Sequence, residues 1–520
     1  MTTPSNNASS TQAMLCLYTA ETVMMINTTA FNVALPDVSE SLDASMAAQQ
    51  WIVSSYNLTF AAVVLIAGFL GDRLGHLNTM LAGLAMFVIA SVIGIFVGNI
   101  PVLLIARALM GAGAGIVIPM GQALLSIIFH GSELSHAMTA WAIAGTLGVP
   151  FGPIVGGAIT AMLGWRGIFG FDAVVFFAVM VLIYTAIAKR DQHQLPSATP
   201  VSGSVSAPQS SLNIPWLSVL LMFTGFSAFS AGLIDAQHSI TAPSAWIPML
   251  AGAVLIIAFV AYDQHNSNPL MELSLMHNPS FAANAPALLM LNFSMYGIIF
   301  IMPAYLETVM GHGAFIGGLL LMPLVVASII GSLVNSQIAS RIGYRTAAII
   351  SLLMLAAGMA VMGVAIFQSG MTVGWFLLIA GQVIAGLGLG AGQPVMLTWA
   401  MDCVPAEYSG AGSSLLTVFR QFGSIIGVGI FGSIAGNVYT AQFRDDSPAV
   451  SAGLISAGSV NLDFQQAQRL ANQTAQLLKS VASRAYESSM IVSFLIAAII
   501  IVITTAIVAT ISRRQKIAAA

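Results

Sequence analysis

The chain has 520 residues, of which 58% are hydrophobic and 6% charged, where a soluble domain carries about a quarter charged; so few charges cannot cover a water-soluble fold. The net charge of −3, without a run of Lys and Arg, sets nucleic acid aside as a partner. Two cysteines, Cys16 and Cys403, both in apolar surroundings, leave neither a disulfide framework nor a Cys-based metal site.

The apolar residues come in stretches of about twenty, the length a helix needs to cross about 30 Å of hydrocarbon. Backbone groups in lipid must be satisfied internally, so these stretches are expected to be helices. The polar start, Met1 to Thr11, lacks the marks of a cleaved secretory signal, and the first span is expected to stay in the mature protein. Spans are expected near 12–35, 47–71, 79–97, 101–129, 135–163 and 167–188. A Ser/Pro/Gly-rich linker follows from Asp191 to Asn213, then two spans near 214–234 and 245–262. Six more are expected near 281–305, 313–340, 346–367, 372–401, 409–439 and 488–511. The fold class is therefore all-α integral membrane with fourteen transmembrane helices.

With both termini cytoplasmic, the inner loops and tail hold Arg73, Lys189, Arg190, Arg341, Arg345, Arg513, Arg514 and Lys516, while the short outer loops hold only Arg166. That asymmetry sets the orientation, since Lys and Arg near span ends resist translocation. The outer loop 440–487 carries Arg444, Arg469, Lys479 and Arg484; long loops cross largely regardless of charge.

The chain also repeats itself. Gly111, Gly113, Gly115 and Pro119 recur as Gly386, Gly388, Gly390 and Pro394, and Gly148, Gly152 and Gly157 recur as Gly423, Gly427 and Gly432, all at one offset (386 − 111 = 275). Arg73, in Gly71-Asp72-Arg73-Leu74-Gly75-His76, recurs as Arg341 in Ala339-Ser340-Arg341-Ile342-Gly343-Tyr344 (341 − 73 = 268). Two pseudo-symmetric six-helix halves are inferred, residues 1–190 and 276–520, with 191–275 supplying the linker and two inserted central helices. Such duplication is typical of transporters in which one half rocks against the other around a midplane site. Taken singly, each glycine is as well explained by close helix packing.

On these residues the chain resembles the major facilitator superfamily, and within it the fourteen-helix drug:proton antiporters of the multidrug efflux type. Gly68 to His76 is similar to the family's signature loop, with Gly71, Asp72, Arg73 and Gly75 as gating residues. Leu103 to Gly115 resembles the fourth-helix motif, whose arginine, here Arg107, is implicated in proton coupling. Gly145-Thr146-Leu147-Gly148-Val149-Pro150-Phe151-Gly152-Pro153-Ile154-Val155-Gly156-Gly157 resembles the fifth-helix motif of the family's exporters. Pro150 and Pro153 would loosen the helical ladder there, and Gly145, Gly148, Gly152, Gly156 and Gly157 would allow tight contact with the opposite half, as a hinge or seal. Phe31 to Pro36, Trp165-Arg166 and Phe419 to Gly423 are similar to further motifs of the same branch.

The chain also departs from the pattern. Where the family usually has an aspartate before the Thr-rich end of the first helix, this chain has Asn27, which cannot exchange a proton. Glu21 lies six residues earlier on the same helix, on a different face about 9 Å away along the axis. In the sixth span the family commonly has Asn where this chain has Asp172, and at the end of the ninth Gln where it has Glu307. Intramembrane carboxyls default to functional sites, so Glu21 is the first proton-coupling candidate and Asp172 the second, either of them pairing with Arg107; the alternative for each is a structural hydrogen bond between helices. Candidate cavity residues are Asn27, Trp51, Ser55, Tyr56, Asn57, Glu307 and Arg420, although an interfacial aromatic belt accounts equally well for Trp51. Glu307 and Asp402 lie near span ends. Asp37, Glu40 and Asp43 fall in an outer loop and read as a solvated face.

The expected function is export of amphipathic or hydrophobic organic compounds, cations among them, in exchange for protons. A monomer in a lipid bilayer, spending a proton gradient with no cofactor and no metal, would carry it out. A dedicated exporter of a metabolite, amino acid, siderophore or lipid remains open. A membrane enzyme is disfavoured by the absence of zinc-type His-Glu-x-x-His and nucleophile-elbow motifs, an ATP-driven pump by the absence of a phosphate loop, and a channel by the two-half repeat.

Overall fold

The computed structural model describes residues 4–129, 131–194, 215–236, 242–266, 269, 271–312, 314–368, 372–404, 409–446 and 472–518, and every regular element among them is a helix. In chain order these are α1 (Pro4–Val33), α2 (Leu35–Leu42), α3 (Met46–Leu74), α4 (His76–Ile95), α5 (Ile100–Ile128), α6 (Gly131–Leu163), α7 (Arg166–Gln194), α8 (Trp216–Asp235) and α9 (Pro243–Gln264). A short 3₁₀ turn, Leu273–His277, precedes α10 (Pro279–Ala304), which runs on into a π-helical turn, Tyr305–Val309. Then come α11 (Ala314–Leu320), α12 (Met322–Ile342), α13 (Tyr344–Phe367), α14 (Thr372–Met401), α15 (Ser409–Asp446) and α16 (Asn472–Ala518).

Each of the fourteen expected spans falls on a helix, but eleven helical stretches among the described residues are long and apolar enough by themselves to cross a membrane. The other three, α1, α3 and α6, fall outside that set. Polar residues on two of them point inward: Glu21, Asn27, Thr28, Thr29 and Asn32 on α1, and Gln49, Gln50, Ser54 and Asn57 on α3, are all buried. Exposure is inverted relative to a soluble protein. Phe96, Met162, Leu163, Val174, Ile257 and Phe376 are among the most exposed side chains, and an apolar surface of this extent requires lipid around it. The protein is a multi-pass membrane protein.

Several expected boundaries move. The helix of the sixth span extends to Gln194, past Asp191, and what remains of the linker lies outside the described residues. The single span expected at 313–340 is two helices, α11 and α12, broken at Leu321 just before Pro323, which has no amide hydrogen to give. Of the expected outer loop 440–487, both flanks are helical, as the end of α15 and the start of α16, and 447–471 lie outside the described residues. Asp37 and Glu40 sit on α2 rather than in a loop, with Asp43 as its left-handed C-cap at φ 56°.

The recurring glycines prove to be recurring contacts. Gly111 and Gly115 of α5 lie against the backbone of α3 at Tyr56 and Phe60, and Gly386 and Gly390 of α14 lie against α12 at Leu324 and Ser328. Gly113 meets Gly83 of α4 where Gly388 meets Ser351 of α13. Gly148 and Gly152 of α6 rest on the carbonyls of Thr22 and Ile26 in α1, and Gly423 and Gly427 of α15 on those of Leu289 and Phe293 in α10. With no Cβ between them the backbones approach closely, which is how membrane helices gain packing energy without a hydrophobic drive. The two arginine loops match as well: Gly75 and Gly343 carry φ of +84° and +83°, each ending one helix and starting the next, a conformation that a side chain disfavours.

The inserted pair, α8 and α9, is its own hairpin, closed by Gly225, Gly232 and Gly252. Asp263, fully buried near the end of α9, accepts from Ser218 Oγ at 2.8 Å and from the Met271 amide at 2.9 Å, tying both helices to the chain that leads into α10. Replacing Asp263 by Ala leaves a buried hydroxyl and a buried amide without an acceptor, at a cost of about 2–4 kcal/mol. Asp263→Ala is expected to lower the thermal midpoint of the detergent-solubilised protein, measured by size-exclusion chromatography after heating, clearly more than Ser218→Ala does.

Candidate functional site

Arg107 of α5 has no exposed surface. Its position on a membrane helix costs about 3 kcal/mol unless partners are supplied, and the surrounding helices supply them. Nε donates to the Ile52 carbonyl of α3 at 3.3 Å and Nη1 to Asn27 Oδ1 of α1 at 3.4 Å. The guanidinium lies 4.9 Å from the ring centre of Phe31 and 4.6 Å from that of Tyr56, so aromatic faces take up part of its charge. Asn27 then turns its amide outward: Nδ2 donates to Asp172 Oδ2 of α7 at 2.5 Å. One side chain bridges a cation and a carboxylate, and Asp172 reaches Arg107 through it rather than by direct contact. Asp172 is thus the expected partner of Arg107 that the structure brings to it, at one remove.

Glu21 is not the other. It is 5% exposed and faces α6, where a Cβ on Gly145 would stand 2.7 Å from Oε1, and Oε2 has no hydrogen-bond partner. The cation in electrostatic reach of Glu21 is Arg420 of α15. Arg420 is half-buried, and its Nε is sealed from solvent, also without a partner. Six residues of helix separate Glu21 from Asn27, and they serve different neighbours.

Tyr296 of α10, which the sequence did not single out, stands between the two cations: its hydroxyl hydrogen-bonds Thr28 and lies in electrostatic reach of both Arg420 and Arg107. A lone tyrosine in an apolar span carries no mark of such a place. Asn32, Gln50 and Gln382 are buried with unpartnered polar atoms; Asn32 and Gln382 were likewise missed, since isolated amides in a helix show their importance only through burial. Of the remaining cavity candidates, Tyr56 is buried with its hydroxyl unpartnered, and Asn57 is buried with Oδ1 unpartnered. Ser55 Oγ donates to the Ile52 carbonyl at 3.2 Å, and Trp51 is half-buried. Glu307 lies away from this cluster, on the π-helical turn, with Oε1 unpartnered, beside Gly317 of α11 and in electrostatic reach of Asp37.

The glycines of the Gly145 to Gly157 motif correct one expectation. Gly145, Gly148, Gly152 and Gly156 do not face the opposite half but α1, at Glu21, Thr22, Ile26 and Ala30, and the same seam is pinned by Tyr18 Oη to the Ala137 carbonyl at 2.9 Å and Thr22 Oγ1 to the Ala144 carbonyl at 3.3 Å. Glycines three and four apart share a face, and that face was taken for the wrong one; the seam to the other helices is narrower. It consists of Pro153 and Gly157, which meet Gly318 of α11. Its repeat mate is Gly432 of α15 meeting Gln50 of α3. Both contacts lie toward the α2 end of the bundle. There Trp165 Nε1 donates to Ser41 Oγ at 2.8 Å, while Arg166, 4.1 Å over the Trp165 ring, donates to the Val97 carbonyl at 2.7 Å. The side chain of Pro150, and those of Asp72 and Arg73 in the gating loop, lie outside the described residues; Gly71 is buried against Met120 and His76, and Gly75 is exposed.

The profile of the Major Facilitator Superfamily matches residues 17–428. Among similar proteins, the multidrug efflux pump LfrA of Mycolicibacterium smegmatis is 27% identical over 98% of this chain and 99% of its own length. The tetracenomycin C resistance and export protein of Streptomyces glaucescens is 27% identical over 93% and 89%, and the methylenomycin A resistance protein of Streptomyces coelicolor 26% over 84% and 87%. Among solved structures, an inward-facing, unoccupied bacterial homologue of the human lysosomal transporter Spinster aligns over 99% of this chain and 98% of its own with a TM-score of 0.64 at 15% identity, a likeness of fold.

Two substitutions test the α1/α6 seam. At Gly152 a methyl group would collide with Thr29 and with the α1 backbone, whereas at Gly98 it meets nothing within 4 Å. Gly152→Ala is expected to cut the yield of monodisperse protein or abolish transport, and Gly98→Ala to leave both near wild type.

Proposed function

Because this chain belongs to the major facilitator superfamily and is a transporter rather than an enzyme, we propose that it exports amphipathic or hydrophobic organic compounds across the cell membrane in exchange for protons, by alternating access. The observation that carries proton exchange is Glu21: a carboxyl group sealed between α1 and α6, with one oxygen lacking any hydrogen-bond partner. A carboxyl group held by no fixed donor on one oxygen is chemically able to take up a proton and to give it up again. Export is supported by the likeness to proteins described as efflux, export and resistance proteins.

In this reading fourteen helices cross the membrane, the eleven long apolar stretches together with α1, α3 and α6 (11 + 3 = 14). They form two six-helix halves, with α8 and α9 inserted between. Both termini lie in the cytoplasm, so the α2 end, where Gly432 meets Gln50 and Gly318 meets Pro153 and Gly157, is the outer end. Its closure makes this the state open to the inside, ready to load cargo. Glu21 is the first proton carrier and Asp172 the second, with Arg107 fixed among them. The glycines of α6 let that helix slide on α1, and Pro153 and Gly157 seal the outer end. Asn27, Trp51, Ser55, Tyr56, Asn57 and Arg420 line the route, and Glu307 belongs to its outer gate. The protein works as a monomer.

Inverted vesicles energised with a proton gradient provide the test. At least one compound in a panel of dyes and metabolites is expected to dissipate ΔpH on addition, and its uptake is expected to stop when the gradient is collapsed. Uptake of every responding compound unchanged by that collapse would remove proton coupling. Glu21→Gln is expected to express normally and lose at least about tenfold in gradient-driven uptake while keeping exchange of cargo down its own gradient. Full activity in that variant would move the proton site elsewhere, with Asp172→Asn the next measurement.

A further inference from the structure

The start of α10 and the end of α16 leave a groove between them. Its volume is about 680 Å³, within the range of about 300–1,000 Å³ usual for small-molecule sites. One wall is α16, where Ile503, Ala506, Ile507 and Thr510 are spaced three and four apart and so share a face. The other wall includes His277 of the 3₁₀ turn and Ala282 in the first turn of α10. Ile503 and Ile507 are 55% and 49% exposed, so the groove is open along its side, where the protein meets lipid. None of the residues of the central cluster lines it.

The lining is graded from apolar to polar along α16. From Ile503 to Thr510 the helix rises about 10 Å, and its polar residue comes last. At the same edge stands His277, exposed, with Nδ1 donating to the Ser274 carbonyl at 3.1 Å and the Nε2 edge left for another partner. Beyond Thr510, residues 511–518 of α16 hold Arg513, Arg514 and Lys516 and no acid, about 4.5–9 Å further along the axis. A fourth cation, Arg345 of α13, joins them at the level of Thr510: its Nη2 donates to the Ala509 carbonyl at 3.0 Å, a neutral acceptor that leaves the charge in place. Among the described residues no acid lines the groove, and Glu272, the acid closest in sequence to His277, accepts from the Ser274 hydroxyl. An apolar slot thus ends at a positive edge.

We propose that this groove binds one anionic phospholipid, with an acyl chain along Ile503, Ile507 and Ala282 and the phosphate at the edge marked by His277 and Thr510. The sign of the edge selects the ligand. An anionic headgroup gains from every Lys and Arg near the membrane surface, whereas a zwitterionic lipid fills the same apolar space with little such gain. A free phosphate ion would leave the apolar walls unused, and a cationic amphiphile would meet four like charges. The bound lipid packs against α10 and α16 at once and holds the start of one to the end of the other.

Native mass spectrometry of the full chain in detergent tests the site, with palmitoyl-oleoyl phosphatidylglycerol and the matching phosphatidylcholine added in equal amounts. The wild type is expected to retain phosphatidylglycerol at least about threefold over phosphatidylcholine. The triple variant Arg513→Gln/Arg514→Gln/Lys516→Gln is expected to bring that ratio close to one. Ala506→Trp fills the groove without changing charge and is expected to lower phosphatidylglycerol retention at least about threefold. Val502→Trp, exposed on the same helix but outside the groove, is expected to leave retention unchanged. A wild-type ratio near one, a ratio that the triple variant leaves unchanged, or an Ala506→Trp protein indistinguishable from Val502→Trp overturns the proposal. Should Ala506→Trp not fold by size-exclusion chromatography, phosphatidylglycerol with a diazirine in its acyl chain takes its place on the wild type. Photocrosslinks are then expected in peptides containing residues 276–282 and 503–511, and crosslinks confined to other peptides overturn the site.

Discussion

A guanidinium deep in a membrane helix has no water to turn to, and much of the packing among α1, α3, α5 and α7 is arranged around that fact. Arg107 draws on α1 through Asn27 and Phe31, on α3 through Tyr56 and the Ile52 carbonyl, and on α7 through Asp172. Four helices are therefore held by one side chain, at fixed rotation about their axes. The glycine seams let those helices come close enough for the short polar side chains to reach. Tyr56 shows the dependence well, because its ring lies beside Arg107 while its carbonyl receives the bare backbone of Gly111 on the next turn of α5.

The same arrangement explains a departure that looked like a loss. The residue type at position 27 cannot ionise, yet the charge balance of the cluster is kept, since Asp172 carries the negative charge and Asn27 passes it on as a hydrogen bond. The amide accepts from the cation and donates to the anion, which a carboxylate at 27 could not do. Glu21 is left outside this network, and so it is free to answer to a different cation. Two carboxyls on adjacent helices thus meet different environments because Glu21 and Asn27, six residues apart on α1, lie on different faces, one toward Gly145 of α6 and the other toward Asp172 of α7.

Much of the fold was legible in the sequence because membrane spans obey length and polarity alone: each expected span lies on a helix, and the repeat at 275 reappears as matched contacts of Gly111 with Gly386 and Gly152 with Gly427. What periodicity does not carry is the direction of a face. The fifth-helix glycines were read as turned to the opposite half, whereas four of them meet α1, because any stripe three and four residues apart specifies a seam without naming the partner. The break at Leu321 and the long ends of α15 and α16 were hidden for the same reason, since hydropathy records how apolar a stretch is and not where its axis bends. Of the central cluster, Glu21, Asn27, Arg107, Asp172 and Arg420 stood out as polar residues in apolar spans, but Tyr296 did not, and neither did the division of these charges into a satisfied set and an unsatisfied one. That division depends on which atoms meet, which only three-dimensional placement gives.

The hairpin of α8 and α9 has a consequence of a different kind. Ser433 and Asn437 of α15 bond to the Leu233 and Ala236 carbonyls of α8, Phe226 stacks on Phe422 at 4.4 Å, and α8 also touches α3. The hairpin is thereby moored beside the α3/α15 seam and not beside its repeat mate, the α6/α11 seam. A duplicated molecule whose two flanks would otherwise be interchangeable thus becomes lopsided in the plane of the membrane. Among the described residues, lipid and anything dissolved in it meet the molecule differently on its two sides, one flank buttressed by the hairpin and the other not.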